Sequence, residues 1–348
     1  MLNIVAAILV FGILVMFHEF GHFLFAKWNG IGVVEFAIGM GPKLLSIQKG
    51  ETLYSIRLLP IGGFCMMVGE DGGEDMANNP KAFSNKSVWA RISVVAAGPI
   101  FNFILAWFLA MVIVANVGYD LPRISGTTEG YSAYEQGMQE GDVITQINGH
   151  SIKLYREVSM YLYFHPQEEM DVVYKRGDEA RTAHLTPKYS EETGSYRIGI
   201  VVSGQYVPTQ NLFEVMEYGV YEVRYCINNV LQSLSYMLKG QVKSEDIGGP
   251  VRVVSIIGET VKETRSYGWE ILLLNLANIS VLLSANLGVM NLLPIPALDG
   301  GRLLFLLIEL LRGKPLPPDK EGMVHFAGFA FLMLLMVVLV FNDIRNIF

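Results

Sequence analysis

Leu14-Val15-Met16-Phe17-His18-Glu19-Phe20-Gly21-His22-Phe23-Leu24 places three ionisable side chains inside an apolar run that extends over about residues 3–26. A helix of ~20 apolar residues crosses the hydrocarbon core of a bilayer, so the run is long enough to span one. An ionisable group at the centre of such a helix costs roughly 2.5–3.5 kcal/mol. Three of them together call for a partner, and a divalent cation is one. On a helix, positions i and i+4 share a face, so His18 and His22 can aim both imidazoles at one ion. The alternative, polar residues spaced this way by chance, is weak inside a span.

Glu19 lies beside the pair, where it can accept a proton from a metal-activated water. Further apolar runs cover about 93–117, 271–292 and 324–341, which makes four spans. With 348 residues, 51% hydrophobic and 17% charged, and a mean hydropathy of +0.37, the chain is too apolar for an ordinary soluble enzyme. The net charge of −7 offers no basic footprint for nucleic acid. No Lys or Arg precedes Lys27, so the first run reads as a retained helix rather than a signal peptide. Lys27, Lys43, Lys49, Arg57, Lys81, Lys86 and Arg91 separate runs one and two. Arg302, Arg312, Lys314 and Lys320 separate runs three and four. Both loops are therefore expected in the cytoplasm, with the long segment 118–270 outside.

Residues 33–64 alternate weakly and contain Gly39, Gly41, Gly50, Gly62 and Gly63, which suggests a β-hairpin or re-entrant element near the membrane. The stretch 70–90, with Asp71, Gly72, Gly73, Asn78, Asn79 and Pro80, reads as a polar loop. Residues 118–204 are acidic and carry short β-like stretches, Val143–Ile147 and Met170–Tyr174, which fits a small α+β domain. From about 207 to 265 the pattern is helical and amphipathic. Such a helix suits either the membrane surface or the flank of the preceding domain. Cys65 and Cys226 are expected on opposite sides of the membrane, as packing residues rather than a disulfide or a zinc pair.

Asn291-Leu292-Leu293-Pro294-Ile295-Pro296-Ala297-Leu298-Asp299-Gly300-Gly301 ends the third run. Pro294 and Pro296 must break the helix just ahead of Asp299. That Asp could complete a three-ligand metal site, or it could cap the helix that follows. Spacing alone cannot bring it to His18.

Together these motifs resemble the site-2 protease family of intramembrane metalloproteases, in its bacterial RseP-type branch. Pro60-Ile61-Gly62-Gly63-Phe64 with Gly69-Glu70 is similar to the family's glycine-rich stretch. Phe83, Lys86-Ser87, Trp89, Arg91 and Ala97-Gly98-Pro99-Ile100-Phe101-Asn102 resemble the approach to its second helix, and Asn286-Leu287-Gly288 with Asn291 through Gly301 its third. Gly137-Met138-Gln139-Glu140-Gly141-Asp142-Val143-Ile144, then Ile147-Asn148-Gly149, resembles a PDZ core.

The resemblance implies a polytopic α-helical membrane protein with about four transmembrane helices, a re-entrant β element and one inserted PDZ-like domain. Helices 1–2 would occupy 1–117, the PDZ-like domain 118–204, an amphipathic segment 205–268, and helices 3–4 269–348. His18, His22 and Asp299 would hold one Zn2+ per chain, with Glu19 as general base. Asn291, Asn286, Asn102, Pro294 and Pro296 would handle substrate. The partners would be the bilayer and single-span membrane proteins such as anti-sigma factors or remnant signal peptides, cleaved within or near the transmembrane segment. The setting would be a bacterial plasma membrane, with the active site toward the cytoplasm and the PDZ-like domain outside, as a size filter or a peptide binder. A non-proteolytic scaffold with a structural metal is the alternative, and a similar ligand set also suits iron.

Overall fold

A computed structural model describes residues 2–70, 78–202, 206–241 and 248–347, so Asp71, Gly72 and Gly73 of the polar loop lie outside the described residues. The chain divides into two compact units, one of Met1–Leu109 with Val242–Phe348, the other Ala110–Gln241.

In the first unit the apolar runs form α1 (Leu2–Trp28), the greater part of α2 (Val88–Val117), α7 (Trp269–Leu292) and α9 (Pro318–Ile347). Among the described residues these four helices are long and apolar enough to cross a membrane. Their outer faces carry exposed large side chains, such as Phe326, Phe329 and Phe331 on α9. Continuous apolar surface of this extent belongs in lipid rather than water. Pro99 sits inside α2, which a membrane helix tolerates because neighbouring groups re-satisfy the freed backbone.

Two cores flank the middle of α1. Toward its start, Ala6, Ala7, Val10 and Leu14 pack with Leu105 of α2, Leu272 of α7, and Ile257 and Val261 of the short helix α6 (Pro250–Thr264). Toward its end, Ala26 packs with Val94 and Val95 of α2, Leu306 of α8 (Asp299–Arg312), and the β element. His18 and His22 fall between the two cores.

The β element consists of β1 (Val33–Lys49) and β2 (Thr52–Met67). Glu35, Phe36, Ala37 and Ile38 each have two partners, one among Leu53–Ile56 and one among Gly63–Met66, so they form the sheet's interior. The outer half of β1 pairs with Thr52–Ile56 around Gly50, whose φ of +61° suits a residue without Cβ. The last residues of β2 form a border of this sheet.

The second unit contains β3 (Gly126–Thr127), α3 (Ser132–Glu135), β4 (Val143–Ile147), β5 (His150–Ser151), α4 (Tyr155–Phe164), β6 (Met170–Arg176), β7 (Glu179–Leu185), β8 (Lys188–Ser190), β9 (Ser195–Arg197), β10 (Ile200–Val201) and α5 (Leu212–Leu238). Four strands form an antiparallel sheet in the order β5-β4-β6-β7. Asn148 and Gly149, both at positive φ, turn the chain between β4 and β5, as an Asn-Gly hairpin does. Alternate residues of β6 and β7 (Met170, Val172, Tyr174, Ala183 and Leu185) join Ile144 and Ile147, which flank a register shift in β4, and Val158 and Tyr161 of α4 in one core.

The stretch 205–268, expected as a single amphipathic segment, divides between the units. Helix α5 packs on the strand domain through reciprocal ion pairs: Arg156 of α4 reaches Glu222 of α5, and Arg224 of α5 reaches Glu157 of α4 at 2.6 Å. Burial pushes the Glu222 carboxyl up and the Cys226 thiol up to about 12. Cys226 and Cys65 are both free and buried.

Asp142, fully buried, accepts hydrogen bonds at 2.8 Å from Arg176 Nε, Arg176 Nη2 and the Gln139 N–H. Burial raises its carboxyl, but Arg176 and the Gln139 N–H outweigh it and hold the group below its ordinary 3.8. A depressed carboxyl contributes stability that is fully present above the unfolded value and lost as pH falls through the folded one. Asp142→Asn should therefore destabilise this unit by about 1.5–3 kcal/mol at pH 7 and flatten its loss of stability below pH ~4. Hydrogen exchange of the β4 and β6 amides at both pH values measures this. An unchanged acid profile would mean that the pair does not set acid sensitivity.

Candidate metal centre

Successive turns of α1 carry His18 and His22, whose rings meet edge to face with centroids 4.8 Å apart. Both residues are buried, at 9% and 8% exposure. His22 Nδ1 lies 2.9 Å from the carbonyl oxygen of Val94. A carbonyl only accepts, so Nδ1 holds the ring proton and Nε2 presents a lone pair. That Nε2 lies 3.2 Å from Nε2 of His18. Asp299 Oδ2 stands 3.2 Å from His18 Nε2 and 3.4 Å from His22 Nε2.

These three atoms fit a metal. Asp299 Oδ2 is buried without an ordinary hydrogen-bond partner, and two imidazoles with a carboxylate are the donors a catalytic zinc uses. Metal–ligand lengths of ~2.0–2.1 Å place tetrahedral ligand atoms about 3.3 Å apart, which matches separations of 3.2, 3.2 and 3.4 Å. Among the described residues the group contains three protein ligands, which leaves a fourth position for water or substrate.

A helix break delivers Asp299. Helix α7 stops at Leu292, where Pro294 and Pro296 prevent continuation, and α8 begins at Asp299 itself. Leu298 occupies the cap position of α8, so Asp299 is not the cap, and its carboxylate faces the imidazoles instead. A Cβ on Gly300 would lie 2.0 Å from the Leu293 oxygen, and one on Gly301 2.5 Å from the Ile295 oxygen. Only glycines let α8 fold back this closely on the broken segment. Ala297 holds a φ of +76°, uncommon for a residue with a Cβ, and its N–H donates to His325 Nδ1 at 2.9 Å. Arg91 of α2 forks onto Glu309 at 2.5 and 3.0 Å, and Arg302 pairs with Glu70; both contacts anchor α8.

Other small residues make room around the ligands. A Cβ on Gly98 would fall 2.3 Å from His22 Nε2 and 2.8 Å from His18 Cε1, and one on Gly21 2.4 Å from the Ala97 oxygen. Glu19 lies on the side of α1 that meets the sheet border, near Cys65 of β2. A Cβ on Gly63 would stand 3.6 Å from its Cγ.

The residues expected to handle substrate are placed unevenly. Asn102 is fully buried, with its side-chain amide 3.1 Å from His18 Nδ1. Asn286 keeps a buried Oδ1 without a partner. Asn291 is half-buried at the end of α7, Pro294 is exposed, and Pro296 packs against Gly328 of α9. Sequence reasoning gave no role to His325, although a histidine inside the apolar run 324–341 is the same kind of signal as His18.

A model of peptidase family M50 matches residues 6–335. A Clostridium acetobutylicum protein bearing the name of a zinc metalloprotease is 40% identical, covering 98% of this chain and 97% of its own. The regulator of sigma-W protease RasP of Bacillus subtilis is 34% identical over 99% of both chains. Among solved structures, the PDZ domain of an SdrC-like protein from Listeria monocytogenes matches 25% of this chain and 92% of its own, at 26% identity and a TM-score of 0.22.

Proposed function

This chain belongs to peptidase family M50, the site-2 proteases, and on that premise we propose the residue roles in its zinc-dependent proteolysis. His18, His22 and Asp299 hold the zinc, Glu19 is the general base, and the bond cut lies within or near a transmembrane segment of a single-span protein. The observation that carries this reading is the set of three ligand atoms 3.2–3.4 Å apart, brought together from α1 and the start of α8. The scaffold alternative gives way to the family assignment.

When bound, zinc supplies a Lewis acid that polarises the peptide carbonyl and makes water nucleophilic at neutral pH. The protein supplies the rest. Glu19 takes the proton of the attacking water on its carboxylate and returns it to the leaving amine nitrogen. A substrate helix hides its peptide bonds, so it must unwind locally, and its freed backbone groups then need partners. The sheet border at Gly63–Met67, beside Glu19, can accept such a segment as an added strand. Asn286 and Asn291, on the helix that leads to Asp299, can hold the unwound backbone.

The Lys- and Arg-bearing loops support an orientation with the active-site end of α1 toward the cytoplasm of a bacterial plasma membrane and the PDZ-like unit outside as a size filter. The name of the Bacillus subtilis relative supports membrane-bound anti-sigma factors as a substrate class. The test is cleavage of a single-span reporter by the purified protein in lipid nanodiscs, with product ends mapped by mass spectrometry. Ends within the apolar segment or a few residues from it are expected. Cuts confined to the soluble flanks would contradict the intramembrane reading.

A further inference from the structure

Asn102 offers no surface to a substrate, since it is fully buried on α2 against the back of His18. His18 Nε2 faces the ligand group, 3.2 Å from both Asp299 Oδ2 and His22 Nε2. To bind an ion there, Nε2 must be free of a proton, so Nδ1 must carry it. Whatever lies behind Nδ1 then has to be an acceptor. The nearest group is the Asn102 amide, whose Nδ2 stands 3.1 Å from Nδ1 while its Oδ1 is buried with no hydrogen-bond partner. Amide nitrogen and oxygen exchange places by a half-turn.

We propose that Asn102 is a positioning residue: its Oδ1 accepts the His18 Nδ1–H, fixing the tautomer and ring orientation that present Nε2 to the zinc. The turn that carries it is pinned on the far side, where Ser284 Oγ of α7 donates to the Asn102 backbone oxygen at 2.7 Å, both residues being fully buried. One turn earlier, Gly98 leaves the imidazoles their space. His22 is held in the same manner by the Val94 carbonyl. Each zinc-binding imidazole thus has its acceptor on α2, one from the backbone and one from a side chain.

This inference rests on the zinc-site reading above, and the test separates the two. Zinc affinity of the purified full-length protein is measured by chelator competition for wild type, His18→Ala, Asn102→Leu and Asn102→Asp. Asn102→Leu, which has no acceptor, should bind zinc roughly 10–100-fold more weakly, the usual loss when an outer partner of a metal ligand is removed. Asn102→Asp should stay within a few-fold of wild type, because a carboxylate accepts the same bond. Wild-type affinity in Asn102→Leu, or equal losses in both variants, would overturn the positioning role. Wild-type affinity in His18→Ala would instead overturn the zinc-site reading.

Discussion

Glu19→Gln should keep its zinc and lose proteolysis by about 10²–10⁴-fold, the range that general acid–base catalysis supplies. The substitution keeps the side chain's shape and its place beside Gly63 and Cys65, but an amide cannot take a proton from water at neutral pH. Neither His18 nor His22 can stand in, because each presents Nε2 to the ligand group. The measurement pairs the cleavage rate of a single-span reporter with metal content. Loss of rate at one zinc per chain places Glu19 in the chemistry. Loss of zinc together with rate would make it a ligand, and an unchanged rate would remove it from the mechanism.

Asp299→Ala should weaken zinc binding by more than the roughly 10–100-fold that outer partners of metal ligands cost, because it removes an ion-binding oxygen outright. The α8 helix should remain in place. Its anchors, Arg91 to Glu309 and Arg302 to Glu70, lie elsewhere on the helix, and Asp299 does not cap it. Dialysis against graded chelator followed by metal analysis reads the effect, with thermal unfolding as the check on folding. A variant that holds zinc as tightly as wild type would show that the carboxylate is not a ligand.

The spans and the His18–Glu19–His22 motif were legible because apolar length and i, i+4 spacing are local properties of the sequence. The strands at Val143–Ile147 and Met170–Tyr174 could be read for the same reason, as short runs of β-forming residues. The role of Asp299 could not. A carboxylate 277 residues beyond His22 is brought to it by a helix break whose direction depends on Gly300, Gly301 and the turn at Ala297. The amphipathic pattern over 205–268 fitted both a membrane-surface helix and a packed one, and the ion pairs of α5 with α4 show one face of its first half packed on the domain. Asn102 was visible as a motif residue, but its partner is an atom on another helix. Which end of its amide faces His18 follows from the histidine's chemistry, not from any pattern in the chain.

An open zinc site made of two imidazoles and one carboxylate has a distinct signature in zinc-edge X-ray absorption of the purified protein. Two imidazole nitrogens are expected at ~2.0–2.1 Å, with the remaining shell made of oxygen at ~2.0–2.2 Å. Sulfur scattering near ~2.3 Å, or a shell with more than two imidazoles, would contradict it.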